Sequence, residues 1–490
     1  MRQEKCLAAA CLAGWLLGGG VCSAQDAKSE SVPSFDLMGA IAQGEPLRAE
    51  EAVTRVTENS PALERAEALV RASEAAVERA RTQLLPRLEL TARYTHIDGF
   101  PNSRIGALDP AAADAARTLA QQINDPAARA LWLSSIDRQA QGQAIVIPRN
   151  QTAFAARVLY PVSDLFFAVV PSIQAARASA RATEAQARAK LNRVRLSARE
   201  AYYQLARARG NLAVAQRAVE QARVQHARIE AGVKAGLRPA ADAASSGARL
   251  ALAEQTVVSM ESAVDVADAA LRTLLLDPDG APYGIGDPIL DDLDASEVAS
   301  AALLLGKARA QRAEISALTE LIESQRHNAK ANRANGYPHV SVFAGGDYAN
   351  PNRYQIPPKS EYQPSWEVGA LVSYAPNDSW SAAKRVRENE AQIDALEAEL
   401  AELEQALTLE VRNARAVLVR ANRSAQAART AEAAAQTAYE RRMAELHVGD
   451  VTTADLFAAE NELNAARLQV LDSAVERHLA RARLAYALGE

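Results

Sequence analysis

The most regular pattern in the chain is a seam of apolar residues between Leu191 and Val233, spaced alternately three and four positions apart. This heptad spacing is typical of one face of a coiled-coil helix. Bulky residues alternate with alanine along the seam, which lets neighbouring backbones approach closely. We predict a helix over about 164–234, with Pro171 tolerated only near its start. At ~1.5 Å per residue it extends roughly 100 Å, so it must lie against other helices.

A second long helix is predicted over about 380–446, where the corresponding seam is rougher. Glu432 and Arg442 occupy seam positions toward its end. Looser packing near a helix end explains this pattern, and so does a segment that moves. The residues alone leave both interpretations open.

Four short segments instead alternate apolar and polar residues with a period of two, at about 88–98, 152–160, 339–348 and 366–374. One face is apolar with aromatic ends, and the other is mostly polar or small. Each segment has about the length of a tilted membrane strand, ~9–11 residues. A soluble sheet packed on a helix shows the same alternation and is the alternative. In a membrane, the lipid-facing residues would include Leu88, Leu90, Val158, Val342, Trp366 and Val372.

Four strands per chain limit what such a sheet can do in a membrane. They cannot close a barrel around a pore, because small barrels need about eight. An open strand edge cannot face lipid, because its backbone groups would lack hydrogen-bond partners. Either the sheet lies outside a membrane, or several chains share one barrel, and three chains would give twelve strands.

The sequence also contains an internal duplication. Leu63–Pro86 and Ile315–Pro338 are similar segments that each precede a predicted strand, and 236–242 matches 449–455. Each copy has the order helix, strand, loop, strand, long helix, tight turn, helix. We therefore divide the chain into an N-terminal linker at 25–46, repeat 1 at 47–280 and repeat 2 at 281–489. Repeat 1 holds extra residues between its strands, which we predict to form a surface loop at 99–150.

Residues 1–24 have the pattern of a secretory signal peptide. Arg2 and Lys5 precede a short apolar run, and small residues lead to a predicted cleavage site after Ala24. The run is shorter than the roughly 20 apolar residues of a membrane span. Lipidation at Cys22 is a less favoured alternative, because the residues before it fit a lipoprotein signal poorly. All three cysteines lie in this segment, so the exported chain would have neither a disulfide nor a thiolate metal site.

Charge and motifs exclude several functions. The chain has 55 Lys+Arg against 60 Asp+Glu, so it lacks the basic surplus that nucleic-acid binding requires. None of the catalytic or nucleotide-binding motifs HExxH, Walker loop, GxSxG and EF-hand occurs. We expect neither an enzyme nor a cofactor or metal site. His226 lies in the helical seam and is interpreted as a packed residue, and Asp277–Gly280 as a turn rather than a calcium loop.

Several longer stretches of the sequence resemble a known protein family. The segments AGLRPAADAASSGARLALAEQ, WEVGALVSYAPNDSWSAAKRVRENEAQ and HVGDVTTADLFAAENELNAARLQ, with their order and duplication, resemble the TolC family of outer-membrane efflux proteins. The likeness extends over nearly the whole exported length. Arg238-Pro239 and the stretch from Tyr374 to Trp380 depart from the family pattern. The resemblance implies a mainly α-helical homotrimer with a twelve-stranded β-barrel in outer-membrane lipid and a periplasmic α-helical tunnel. It also implies docking on a periplasmic adaptor (membrane fusion) protein and an inner-membrane pump of the RND, ABC or MFS type.

The resemblance also implies roles for the two tight turns. The turns at 233–239 and 446–453 would form the periplasmic tip. The implied adaptor contacts are Gly236, Leu237, Gly449 and Val451.

The resemblance further implies that Asp455 rings the closed periplasmic aperture, with Asp450 as a weaker candidate. A local alternative is that Thr452–Asp455 caps a helix, with Asp242 in the same role in repeat 1. The alternative for the whole chain is a periplasmic coiled-coil scaffold or adaptor without a pore.

Overall fold

The computed structural model describes residues 37–99, 103–105, 107–141, 143–145, 148–291, 298–356, 358–448 and 450–490. The predicted signal peptide with Cys22, most of the linker at 25–46, Gly449 and parts of the predicted loop at 99–150 lie outside the described residues.

Long helices and short strands alternate along the described chain. In chain order the elements are α1 (Leu37–Ile41), β1 (Glu45–Leu47), α2 (Ala49–Asn59), α3 (Pro61–Thr82), β2 (Arg87–His96), β3 (Ser103–Ile105), α4 (Pro110–Gln121), α5 (Pro126–Gln141), β4 (Gln143–Ile145), β5 (Asn150–Tyr160), α6 (Val162–Asp164), α7 (Val170–Lys234), α8 (Ala240–Leu275), β6 (Tyr283–Ile285), α9 (Ala301–Gln311), α10 (Ala313–Ala334), β7 (His339–Asn350), β8 (Gln363–Ser373), α11 (Pro376–Val448) and α12 (Thr453–Leu488). A π-helical turn at Leu165–Val169 joins α6 to α7.

Several helices occur in pairs of equal length. Helices α2 and α9 each have 11 residues, α3 and α10 each have 22, and α8 and α12 each have 36. The two longest, α7 and α11, have 65 and 73 residues. Matched lengths in the same order are what a duplicated chain produces. Pro171 lies in the first turn of α7, where its missing N–H costs no hydrogen bond.

Strands β2, β5, β7 and β8 form one antiparallel sheet in that order. Successive cross-strand partners are Leu88, Val158, Ala344 and Val368. Helices α3, α6, α10 and α11 meet this sheet at one end, because α3 and α10 lead to Arg87 and His339 while β5 and β8 lead into α6 and α11. The described parts of the links from β2 to β5 and from β7 to β8 follow the opposite strand ends, and the first of them contains α4 and α5.

The helices form a layer with open sides. Near the sheet, α7 packs against both α3 and α10, and α10 packs against α11. Farther away, α7 pairs with α8, α11 pairs with α12, and α12 packs on α7. No helix in the described ranges is both long and apolar enough to cross a bilayer.

The largest buried cluster lies midway along α7. There α1, α2, β1 and β6 wrap around α7 and α12, and β1 pairs in parallel with β6. Tyr202 is fully buried at its centre, and its hydroxyl donates to the Leu47 carbonyl oxygen at 3.0 Å. This cluster ties the start of repeat 1 to the segment that opens repeat 2.

The predicted loop at 99–150 differs from expectation, because it contains α4, α5 and the short β3–β4 pair. Pro110 and Pro126 start the two helices, a position that proline favours. The helices pack through Ala113, Ala120 and Ile136, which are buried. A narrow alanine face was enough to form a helical hairpin within a segment rich in Asp, Gln and Pro.

Candidate functional site

The six residues predicted to face lipid share one face of the sheet. They are Leu88, Leu90, Val158, Val342, Trp366 and Val372, and all are exposed. Trp366 is 81% exposed and Leu90 is 74% exposed. An apolar surface of this extent, free of covering helices, marks a site of contact with lipid or protein.

The opposite face of the sheet is polar and carries an ion pair across three strands. Arg157 Nη2 lies 3.0 Å from Glu367 Oε1. The residue between them in the register is Gly345, which has no side chain to block the contact. A cavity of about 550 Å³ lies over this face, bounded partly by residues 351–353, 355, 356 and 358.

The first tight turn joins α7 to α8. Gly236 has a φ of +74°, a left-handed conformation that glycine adopts without strain. The Leu237 N–H donates to the Gly232 carbonyl at 2.9 Å, which closes the helix end. Leu237 is 81% exposed. The turn therefore presents an apolar side chain at the very end of the hairpin.

The second tight turn joins α11 to α12. Val448 is exposed, Val451 is half-buried, and the Asp450 N–H donates to the Glu445 carbonyl at 3.1 Å. Gly449, the remaining adaptor candidate, is outside the described residues.

Asp455 forms a capping box with Thr452. The Thr452 hydroxyl accepts from the Asp455 N–H at 3.3 Å, and Asp455 Oδ2 accepts from the Thr452 N–H at 2.9 Å. The Thr452 hydroxyl also donates to Asp455, and these bonds lower the pKa of the exposed Asp455 carboxyl. These bonds agree with the interpretation of Thr452–Asp455 as a helix cap. A role for Asp455 at an aperture stays a prediction.

The expectation that Asp242 caps α8 in the same way is wrong. Pro239 occupies the N-cap position of α8 and has no hydroxyl, so a capping box cannot form. The Asp242 carboxylate instead lies 3.9 Å from the Arg238 guanidinium. The two equivalent aspartates therefore have different local partners.

A buried acidic residue near the second turn was not predicted from the sequence. Glu460 of α12 is 7% exposed and lines a cavity together with residues of α7 and α8, and burial raises its pKa to about 7. Arg249 of α8 opposes this shift in part but sits over the Phe457 ring. One stripe of α12 has the spacing of an apolar helix face and contains Leu456, Ala459, Glu460 and Leu463. An acidic residue within such a stripe is the sequence pattern from which its burial could have been predicted.

The other singled-out residues have local partners. His226 Nδ1 lies 2.8 Å from Ser246 Oγ. Asp277 Oδ2 accepts from the Tyr283 hydroxyl at 2.8 Å within its turn. Among the described residues, no cluster of three or more His, Cys, Asp or Glu side chains could hold a metal ion.

The sequence matches a known family over its second repeat. Residues 304–490 match the family model described as "Outer membrane efflux protein". The family description names a transport protein, in agreement with the prediction that the chain is not an enzyme. No curated protein matches the chain.

Solved structures with the same fold include three bacterial outer-membrane proteins. The Campylobacter jejuni CmeC outer membrane channel has 14% identity and a TM-score of 0.67, covering 90% of this chain and 85% of that one. VceC from Vibrio cholerae has 16% identity and a TM-score of 0.67, with coverages of 90% and 96%. The open state of the Neisseria gonorrhoeae MtrE channel has 17% identity and a TM-score of 0.66, with coverages of 94% and 93%.

The resemblance inferred from the sequence is therefore confirmed: residues 304–490 carry the sequence pattern of the outer membrane efflux protein family, and nine-tenths of the chain has the fold of the outer-membrane efflux channels.

Proposed function

We propose that three copies of this chain form an outer-membrane channel that exports small molecules or proteins from the periplasm, or from an inner-membrane pump, to the outside. The observation that carries this proposal is the open sheet. Its apolar face is exposed, and neither of its edge strands, β2 and β8, pairs with a further strand among the residues that the structure describes.

The open edges argue for a ring of copies. Strands β2 and β8 are the edges of the sheet, and they connect to α3 and α11 at the two sides of the helical layer. Unpaired strand edges in lipid are too costly to persist. Placing β8 and α11 of one copy beside β2 and α3 of the next completes both layers at once. Three copies give twelve strands, enough to enclose a pore.

The two faces of the sheet support a membrane position. The strands have 10, 11, 12 and 11 residues, sufficient to cross the hydrocarbon region when tilted. The apolar face with Leu90 and Trp366 would contact outer-membrane lipid. The polar face with Arg157 and Glu367 would line a water-filled lumen.

The long hairpins would form the periplasmic tunnel. Helix α7 spans roughly 100 Å at ~1.5 Å per residue, so its turn lies far from the sheet. The two turns would meet the periplasmic adaptor through Gly236, Leu237, Gly449 and Val451, and an inner-membrane pump would follow. Asp455, with Asp450 as the second candidate, would gather around the three-fold axis and attract cations.

Fractionation and conductance test the proposal. Protein expressed in a Gram-negative host should appear in the outer membrane as a trimer that resists mild detergent, and it should open ion-conducting pores in planar bilayers. A soluble periplasmic monomer without conductance would contradict the channel and favour a coiled-coil scaffold.

A further inference from the structure

The described part of the link between β7 and β8 folds back over the polar face of the sheet. We call its described residues, 351–356 and 358–362, the strap. Arg353 Nη2 lies 3.1 Å from Glu367 Oε2 and 3.5 Å from Asp347 Oδ1. The Tyr354 hydroxyl donates to Glu367 Oε2 at 3.1 Å. The strap thus reaches a carboxylate that lies within β8.

Polar contacts hold the strap in place. Asn352, which is 5% exposed, donates through Nδ2 to the Gln363 carbonyl at 3.0 Å and accepts from the Tyr354 N–H at 2.9 Å. Apolar burial contributes little, because Tyr354 is 59% exposed and Ile356 is 85% exposed. Asn352 and Tyr362, which stacks on Tyr348 of β7, hold the two ends of the strap. Between them, the side chains that tie the strap to the polar face are those that reach Glu367 and Asp347.

Glu367 is the junction of this network. It receives Arg157 from β5 on one oxygen, and Arg353 and Tyr354 from the strap on the other. The cavity between strap and sheet is lined by three arginines and three carboxylates, so its formal charge is balanced. They are Arg93, Arg157, Arg353, Glu89, Asp347 and Glu367.

The position of the strap decides its effect on a channel. It lies at the end of the sheet away from the long helices α7 and α11, which is the outer end of the proposed barrel. It covers the face that would line the lumen. In a ring of three copies, the three straps would extend toward the central axis of the channel. The exposed side chains Tyr354 and Ile356 would then face that axis.

We propose that the strap is the constriction at the outer mouth of the channel, and that Glu367 holds it inward and balances the charge of the lumen there. This inference rests on the proposed channel function. Breaking the Glu367 junction should release the strap and widen the mouth. Removing either sign of charge should also shift the ion selectivity, because the balanced cavity would gain a surplus of the other sign.

Two substitutions separate the effect on the width of the mouth from the effect on ion selectivity. Glu367→Gln and Arg353→Gln each remove the ion pair, so both should raise single-channel conductance, on the order of 1.5- to 2-fold. Glu367→Gln leaves an arginine surplus and should shift the reversal potential in a KCl gradient toward anions. Arg353→Gln leaves a carboxylate surplus and should shift it toward cations. The double variant should conduct like either single variant, because both changes break the same tie.

Glu361→Gln is the matched control, because Glu361 is an exposed acid in the strap and the same chemical change there leaves the Glu367 junction intact. It should keep the wild-type conductance. Trimer formation by each variant is checked before recording. Wild-type pores together with unchanged conductance in both junction variants would overturn the strap proposal alone. Failure of the wild-type protein to form pores would overturn the channel and the strap together.

Discussion

We predict that the packing of α12 near the second turn depends on pH through Glu460. This residue is buried at a cavity that it lines together with residues of α7 and α8, and the positive charge that acts on it is Arg249 of α8. Burial disfavours the ionised carboxylate and raises its pKa from 4.5 to about 7. The informative perturbation is Glu460→Gln, which keeps the shape of the neutral acid but cannot ionise.

The sign and size of the effect follow from proton linkage. Between pH 4.5 and 7 the folded state holds a proton that the opened state releases, so stability falls as pH rises through this window and stays low above it. Each unit of pKa difference corresponds to about 1.4 kcal/mol, so the full penalty for a shift from 4.5 to about 7 is about 3.5 kcal/mol. Glu460→Gln should therefore match the wild type near pH 4.5 and be more stable by about 3–4 kcal/mol at pH 8.5.

Hydrogen exchange of the α12 amides measures this directly, because it reports local opening in a large chain. At pH 8.5, exchange around residue 460 should be roughly 300-fold slower in Glu460→Gln than in the wild type, and near pH 4.5 the two should agree. Glu462→Gln is the matched control, since Glu462 is exposed two residues away. Identical exchange of the two variants at both pH values would refute a buried, proton-dependent Glu460.

Three further predictions concern the sheet, the turns and the aspartates. Leu90→Arg should impair trimer assembly at a cost of about 2–4 kcal/mol for a charge facing lipid, whereas Thr91→Arg on the polar face should be tolerated, as scored by trimer bands in outer-membrane extracts. Equal tolerance would count against the barrel. Replacing Leu237 or Val451 with tryptophan should abolish export in a drug-accumulation assay while leaving a folded trimer, and export that survives both changes would place docking elsewhere. Asp455→Asn should change cation block of single channels while Asp242→Asn should not. A similar response of the two variants would assign the aperture to other residues.

The strands and long helices could be predicted because their signals are local. The alternation with a period of two gives β7 and β8 within about three residues, and Pro86 and Pro338 mark where the preceding helices stop. Helix α7 ends at Lys234, where the predicted helix ends, because Gly236 supplies the left-handed turn that stops a helix.

The remaining features depend on contacts between distant segments. The Arg157–Glu367 pair joins residues 210 positions apart, and only the strand register reveals that Gly345 lies between them. The burial of Glu460 depends on which face of α12 meets α7 and α8. The prediction for Asp242 is wrong for a local reason, because Pro239 has no side-chain hydroxyl to take part in a capping box.

The open edges of the single copy also have a genetic meaning. Because β2 and β8 lie at opposite edges of the sheet, each copy in a ring offers one edge to each neighbour, and one altered edge damages an assembly whose other members are intact. When an edge-altered allele and the wild-type allele are expressed equally, about one three-copy ring in eight contains only wild-type chains. Such alleles should be dominant, whereas an allele whose product is never exported should be recessive. Patterns of inheritance would then identify which substitutions lie at the edge between copies.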